Sequence, residues 1–132
     1  MGNLLQGRQQ LDEAEKHVRA ALALSEEKLG PESPQLKMSC IYLADVLWSK
    51  KNLREAGVLY RRAIVIDASL YGPDRPETAA DIANLGMLMG EAGQTDAGAA
   101  LLRKALAIYE NTLGANSEEA QFVRERLGRS GR

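Results

Sequence analysis

Three glycines set the frame of this chain. Gly30, Gly72 and Gly114 close the strings Leu29-Gly30, Tyr71-Gly72 and Leu113-Gly114, and the spacing between them is 42 residues both times. Laying residues 30–71 over 72–113 without a gap gives eight identities: Gly30/Gly72, Pro31/Pro73, Pro34/Pro76, Leu43/Leu85, Leu59/Leu101, Arg61/Arg103, Ala63/Ala105 and Ile66/Ile108. These fall at turn and core positions. Sliding residues 11–30 over 53–72 adds Leu11/Leu53, Glu13/Glu55, Ala14/Ala56, Arg19/Arg61, Ala21/Ala63 and Gly30/Gly72. A partial copy therefore precedes two full ones, and in such an array no unit buries its apolar face without the next.

Local chemistry divides each period into two helices. After Gly30, Ser33 is placed to cap a helix carrying Pro34 at its first position, where a missing N–H costs nothing. Pro76 repeats this, and Ser117 stands at the cap position of the third copy. These begin the A helices. Leu36, Cys40, Leu43, Val46 and Leu47 recur at three- and four-residue steps, as do Ile82, Leu85, Leu88 and Met89 one period later, so one stripe faces the core. Breaks at Lys51-Asn52 and Gly93-Gln94 open the B helices, with Asn52 and Glu55 spaced as a capping pair. Small residues recur seven apart on the B helices (Ala14, Ala56, Gly98, then Ala21, Ala63, Ala105), on a face that a neighbouring backbone must approach closely. The pattern predicts helices over 8–29, 35–51, 53–71, 77–92, 95–113 and 118–128, with no competing strand pattern. The expected fold is an all-α solenoid of antiparallel helix hairpins forming one domain, 1–132. It comprises a partial repeat 1–29, repeats 30–71 and 72–113, and a partial, capping helix in 114–132.

Composition excludes several function classes. With 17 Lys+Arg against 18 Asp+Glu, the formal charge of -1 offers no basic field for nucleic acid or anionic lipid. One cysteine, Cys40, cannot form an internal disulfide, and one histidine, His17, cannot assemble the common zinc patterns. No run reaches the roughly 18–20 apolar residues of a bilayer span, and the first seven residues lack the regions of a signal peptide. Gln6 stands where a Met1-Gly2 myristoylation motif wants Ser or Thr. The expectation is a soluble, cytoplasmic protein with no metal, cofactor, nucleic acid or membrane among its partners. Catalysis is not expected either. His17 lies mid-helix four residues after Glu13, a solvated neighbour of a carboxylate, and Cys40 sits on an apolar stripe with only Lys37 close in helical steps. No phosphate loop or dinucleotide glycine pattern is present, and Glu26-Glu27 and Glu118-Glu119 point apart on a helix rather than pairing as acid and base.

Longer strings carry a family resemblance. Glu55-Ala56-Gly57-Val58-Leu59-Tyr60-Arg61-Arg62-Ala63-Ile64-Val65-Ile66 matches the pattern E-A-x-x-L-Y-x-R-A-L-x-I almost throughout. Gly30-Pro31-Glu32-Ser33-Pro34 and Gly72-Pro73-Asp74-Arg75-Pro76 match a turn block L-G-x-x-H-P, and Ile82-Ala83-Asn84-Leu85-Gly86 matches part of L-N-N-L-A-x-L-Y. The chain thus resembles the tetratricopeptide repeat in its 42-residue kinesin-light-chain-type form. That resemblance implies a right-handed superhelix acting as a protein-interaction scaffold, with A helices lining a concave face. It departs from the pattern where Ile41 and Ala83 replace the first family asparagine and Tyr42 replaces the second, which Asn84 keeps. The last copy, Phe122-Val123-Arg124-Glu125-Arg126-Leu127, is charged and reads as a solvated terminal cap.

Helical stepping away from the B-helix contact gives the expected groove. It takes Met38, Ile41, Asp45, Trp48 and Ser49 from one A helix, and Ala80, Ala83, Met87, Gly90 and Glu91 from the next; Tyr42 and Asn84 join them at the family asparagine positions. Such a surface suits an apolar peptide or helix of a partner protein, with basic residues to meet Asp45 and Glu91. Trp48 has a second reading, packed under the turn from Lys50 to Leu53, and one of Met87 and Met89 belongs to the core. Gly86 has a packing reason, whereas Gly90 has none beyond leaving room in the groove. The alternatives are a self-associating module and a regulatory segment of a larger protein. Self-association rests on the first B helix, which has no full A partner and whose Leu11, Val18, Leu22 and Leu24 would face water.

Overall fold

Serine and proline decide where the A helices begin. Ser33 is extended at φ -101 and ψ 150, its Oγ accepts the Leu36 N–H at 3.0 Å, and Pro34 follows as the first helical residue. The same arrangement recurs at Ser117, whose Oγ accepts the Ala120 N–H at 3.1 Å. Between them, Arg75 holds the equivalent position in extended geometry but supplies no side-chain cap; instead the Thr78 hydroxyl donates to the Gly72 carbonyl at 2.8 Å. The computed structural model describes the backbone of residues 2–30 and 33–130, and the side chains of 7–28, 30 and 33–128. Its elements are α1 (Gly2–Leu29), α2 (Pro34–Ser49), α3 (Leu53–Tyr71), α4 (Pro76–Glu91), α5 (Thr95–Thr112) and α6 (Glu118–Ser130). Met1, Pro31 and Glu32, with the side chains of Leu4 and Leu5, lie outside the described residues.

The helix order is the expected one, and the boundaries shift by a residue or two except at the start. There α1 runs unbroken from Gly2 through Gly7, six residues earlier than periodicity alone supports. The turns behave as the period requires. Gly30, Gly72, Gly93 and Gly114 all adopt positive φ, between 82 and 105. Lys51 does so too at φ 67, because it stands one period before Gly93 and makes the same A-to-B turn without a glycine. At the start of α3 the capping pair is looser than a capping box. The Glu55 N–H reaches Asn52 Oδ1 only at 3.5 Å, and the Glu55 carboxylate accepts from the Asn52 side-chain amide at 3.3 Å rather than from its backbone.

The chain divides into two compact units, Met1–Ile66 and Asp67–Arg132, with the division falling inside α3. In the first unit α1 packs on α2, and Leu36, Cys40, Leu43, Ala44 and Leu47 are buried with Ala56, Tyr60 and Ala63 of α3. Ion pairs tie these helices along their polar edges. Lys50 reaches Asp12 at 2.5 Å and Glu15 at 2.7 Å, Glu15 also takes Arg19 at 2.8 Å, and Arg19 reaches Glu55 at 2.6 Å. Three of the four apolar residues expected to face water on α1 do not: Leu11, Val18 and Leu22 are half-buried, which leaves Leu24 exposed. In the other direction Ala21 is exposed where Ala63 and Ala105 are fully buried, since among the described residues no helix precedes α1 to cover that face.

In the second unit α4 packs on α5 and α5 on α6. The small-residue spacing has its sharpest consequence here. A methyl group built on Gly98 would stand 2.6 Å from the Gly86 carbonyl oxygen, and one built on Gly86 would stand 2.9 Å from the Gly98 carbonyl oxygen. Helix backbones meet directly at this point. Gly90 differs, because a methyl group there meets nothing within 4 Å. The last helix is less solvated than its charge suggests. Ala120 and Val123 are fully buried, and Arg124 binds Glu110 of α5 at 3.1 Å together with the Ala115 carbonyl.

Candidate functional site

The expected groove residues fall into two groups, one in each unit. On α2, Met38 and Tyr42 stand one turn apart and are 40% and 54% exposed, which is unusual for apolar side chains with a core so near. Ile41 is half-buried beside them and Ser49 is exposed. Asp45 and Trp48 prove to be held rather than free. The Tyr60 hydroxyl, on a side chain fully buried in α3, donates to Asp45 Oδ1, and the Tyr60 ring meets Trp48 edge-on with centroids 6.0 Å apart at 84°. Trp48 therefore packs onto α3, and Asp45 is a lid over a buried phenol as much as an acid on a rim.

On α4, Ala80, Ala83, Asn84 and Met87 line a hollow of about 490 Å³ whose other walls are Tyr109 of α5 and Glu118, Glu119, Phe122 and Val123 of α6. Met89 is half-buried and does not line it, while Gly90 and Glu91 are exposed beyond its edge. Ala83 and Val123 in this lining are buried, and Glu118 and Glu119 are exposed. Tyr109 is 6% exposed; burial pushes its phenol above the ordinary value, and the charges of Glu119 and Asp81 push it further in the same direction. Phe122 is 47% exposed with the Arg126 guanidinium 5.5 Å from its ring centre.

Reading α6 as a plain cap overlooked this wall, although the period contained the signal. Phe122 stands 42 residues after Ala80 and 84 after Met38, both groove positions, and Arg126 stands 42 after Asn84. The charge of the surrounding string masked that register.

A second hollow, of about 580 Å³, lies in the first unit where Asp12, Glu15, Arg19 and Lys50 meet. Its charges are already matched by the ion pairs described above. Lys50 and then Arg19 hold the Glu15 carboxyl below its ordinary value, while Asp12 and then Glu15 raise Lys50, and Glu15 and then Glu55 raise Arg19. As for chemistry, the Cys40 thiol is fully buried, and desolvation pushes it up against a weaker opposing pull from Arg62. The nearby cation is thus Arg62 of α3 rather than Lys37. His17 is exposed. Among the described residues no group of His, Cys, Asp and Glu is placed to hold a metal ion, and no helix is long and apolar enough to cross a membrane.

A family model for the tetratricopeptide repeat matches residues 1–56 and 37–111. The chain belongs to the tetratricopeptide repeat family. Its fold is similar to that of BtubC (BKLC) from P. vanneervenii, at 23% identity and a TM-score of 0.85 over 92% of this chain and 48% of that one. It is also similar to the nearly identical TPR-like repeats of a kinesin-light-chain-like protein from Podosopora anserina, at 23% identity and a TM-score of 0.83 over 97% of this chain and 61% of that one. The tetratricopeptide chain thus spans about half to three-fifths of the length of these structures. No curated protein matches it by sequence. Tetratricopeptide repeats generally serve as scaffolds for protein–protein interaction and are typically not enzymes.

Proposed function

We propose that this tetratricopeptide repeat chain is a non-catalytic interaction module that holds an apolar segment of a partner protein on its A-helix faces. One observation carries the reading: Met38 and Phe122, at the same phase of the repeat, remain 40% and 47% exposed, while the stripe on the opposite side of their helices is buried. Exposed apolar side chains recurring in register mark surfaces, one in each unit, that are covered in use. Tyr42 adds to the surface of Met38 on α2, and Met87 lines the same hollow as Phe122. Self-association through α1 has lost most of its support, because only Leu24 of the four candidate side chains stays exposed.

The test is capture of partners from a lysate by the wild-type chain, by a Met38→Glu, Tyr42→Ala double variant, and by Val65→Glu on α3. Val65 is 66% exposed and lies on a B helix, so its replacement controls for an added surface charge. A partner kept by the Val65 variant and lost by the A-helix variant is the expected result. Identical capture by all three chains refutes the reading.

A further inference from the structure

The hollow between α4, α5 and α6 has a charge pattern that goes beyond a general apolar surface. Of its lining, Ala83 and Val123 are buried and Met87 is half-buried, while the Phe122 ring and the Glu118 and Glu119 side chains are exposed. No lysine or arginine lines it. We propose that it receives an arginine side chain of the bound peptide, with the methylene stem on Met87 and Val123 and the guanidinium at the two carboxylates. This rests on the reading of the A-helix faces as a binding surface, and it specifies what one part of that surface selects.

Two observations beside the carboxylates point to a cation. The Tyr109 phenol lines the hollow and is pushed up first by burial and then by the field of the Glu119 and Asp81 carboxylates. An anionic ligand group would be repelled by that field, and a purely apolar one would strip water from two carboxylates without replacing it. The Phe122 ring already holds one guanidinium, that of Arg126 at 5.5 Å from its centre. Arginine suits these features together, since its planar fork stacks on rings and meets carboxylates while its stem covers apolar surface. Glu118 and Glu119 also lie in the first turn of α6, whose positive end offsets part of their charge. The selectivity is accordingly modest.

The experiment measures fluorescence anisotropy with three labelled pentapeptides, each with two leucines on either side of a central arginine, citrulline or glutamate. Citrulline keeps the shape of arginine and removes its charge. At low salt the arginine peptide binds about fivefold more tightly than the citrulline peptide, the scale of partly exposed ion pairs, and the glutamate peptide binds weakest. In a Glu118→Gln, Glu119→Gln variant, checked for an unchanged helix content, the arginine preference falls to about one. Equal binding of arginine and citrulline, with both weakened by Phe122→Ala, overturns the cation subsite and leaves the apolar binding surface standing. A preference that survives in the double Gln variant overturns it as well, because the charge would then reside elsewhere. Binding of none of the peptides also overturns it, and the lysate experiment on α2 then decides the broader reading independently.

Discussion

Replacing Gly98 with alanine tests the contact between α4 and α5 most directly. In an unconstrained helix the change stabilises by about 1 kcal/mol, because alanine loses less backbone freedom on folding. Here the added methyl group would stand 2.6 Å from the Gly86 carbonyl oxygen and 3.0 Å from the Gly90 nitrogen, and both are backbone atoms in a neighbouring helix. Neither can turn aside as a side chain would, so α5 must move away from α4 and loosen the packing of Leu102 against Gly86. Overpacking with backbone shifts costs about 1–3 kcal/mol, so a cost near the upper end leaves a net loss of about 1–2 kcal/mol. For a domain of this size that lowers Tm by about 3–8 °C. Gly90→Ala is the matched comparison. The residue type and the helix are shared with Gly86, but its methyl group enters open space, so near the helix end it stabilises by roughly 0.5 kcal/mol. Thermal and urea unfolding followed by circular dichroism measure both. A Gly98→Ala chain as stable as wild type refutes the argument, since the helices would then lie far enough apart to admit a side chain.

Other outcomes follow from the turns, caps and ion pairs. Lys51→Gly relieves a left-handed backbone and raises stability by about 1 kcal/mol, whereas Lys51→Val lowers it, as measured by urea midpoints. Arg75→Ser gives α4 the cap that Ser33 gives α2 and stabilises by about 0.5–1 kcal/mol; the reciprocal Ser33→Ala costs about 1 kcal/mol. Trp48→Ala costs about 2 kcal/mol through its contact with Tyr60, while Tyr42→Ala changes stability by less than about 0.5 kcal/mol, a contrast that separates packing from binding on α2. Glu15 has a lowered folded-state pKa, so its contribution is complete above its ordinary value of 4.5 and is lost as pH falls through the folded-state value. Glu15→Gln is therefore less stable than wild type at pH 7, and the two chains converge in acid melts; a gap that persists at the lowest pH would contradict the linkage.

The order and kind of the helices were legible because glycine, proline and serine act locally. Gly72 and Gly114 must turn, Pro34 and Pro76 must begin a helix, and both requirements are visible without knowing what packs against what. The site was legible only in part. Helical phase chose Met38, Ala83 and Met87, and the family pattern added Tyr42; Met38 and Tyr42 are exposed and Ala83 and Met87 line a hollow, because phase is a property of one helix. It could not place Trp48 or Asp45, whose fates depend on Tyr60 in a different helix. Phe122 was hidden for a different reason: charge around it suggested a solvated end, whereas Arg124 spends its charge on Glu110 and Arg126 on the ring itself.

The Gly86–Gly98 contact also bears on how such arrays grow. Its two halves belong to one 42-residue period, and the same two positions one period earlier are Ala44 and Ala56, both fully buried. The pair is therefore inherited together if a gene is duplicated or recombined at the turns of Gly72 and Gly114. A breakpoint at the turn of Gly93 would separate the partners and set a glycine against an alanine, leaving a gap or a clash inside the new hairpin. Tandem expansion by whole turn-to-turn modules preserves matched neighbours, and crossover within a module does not.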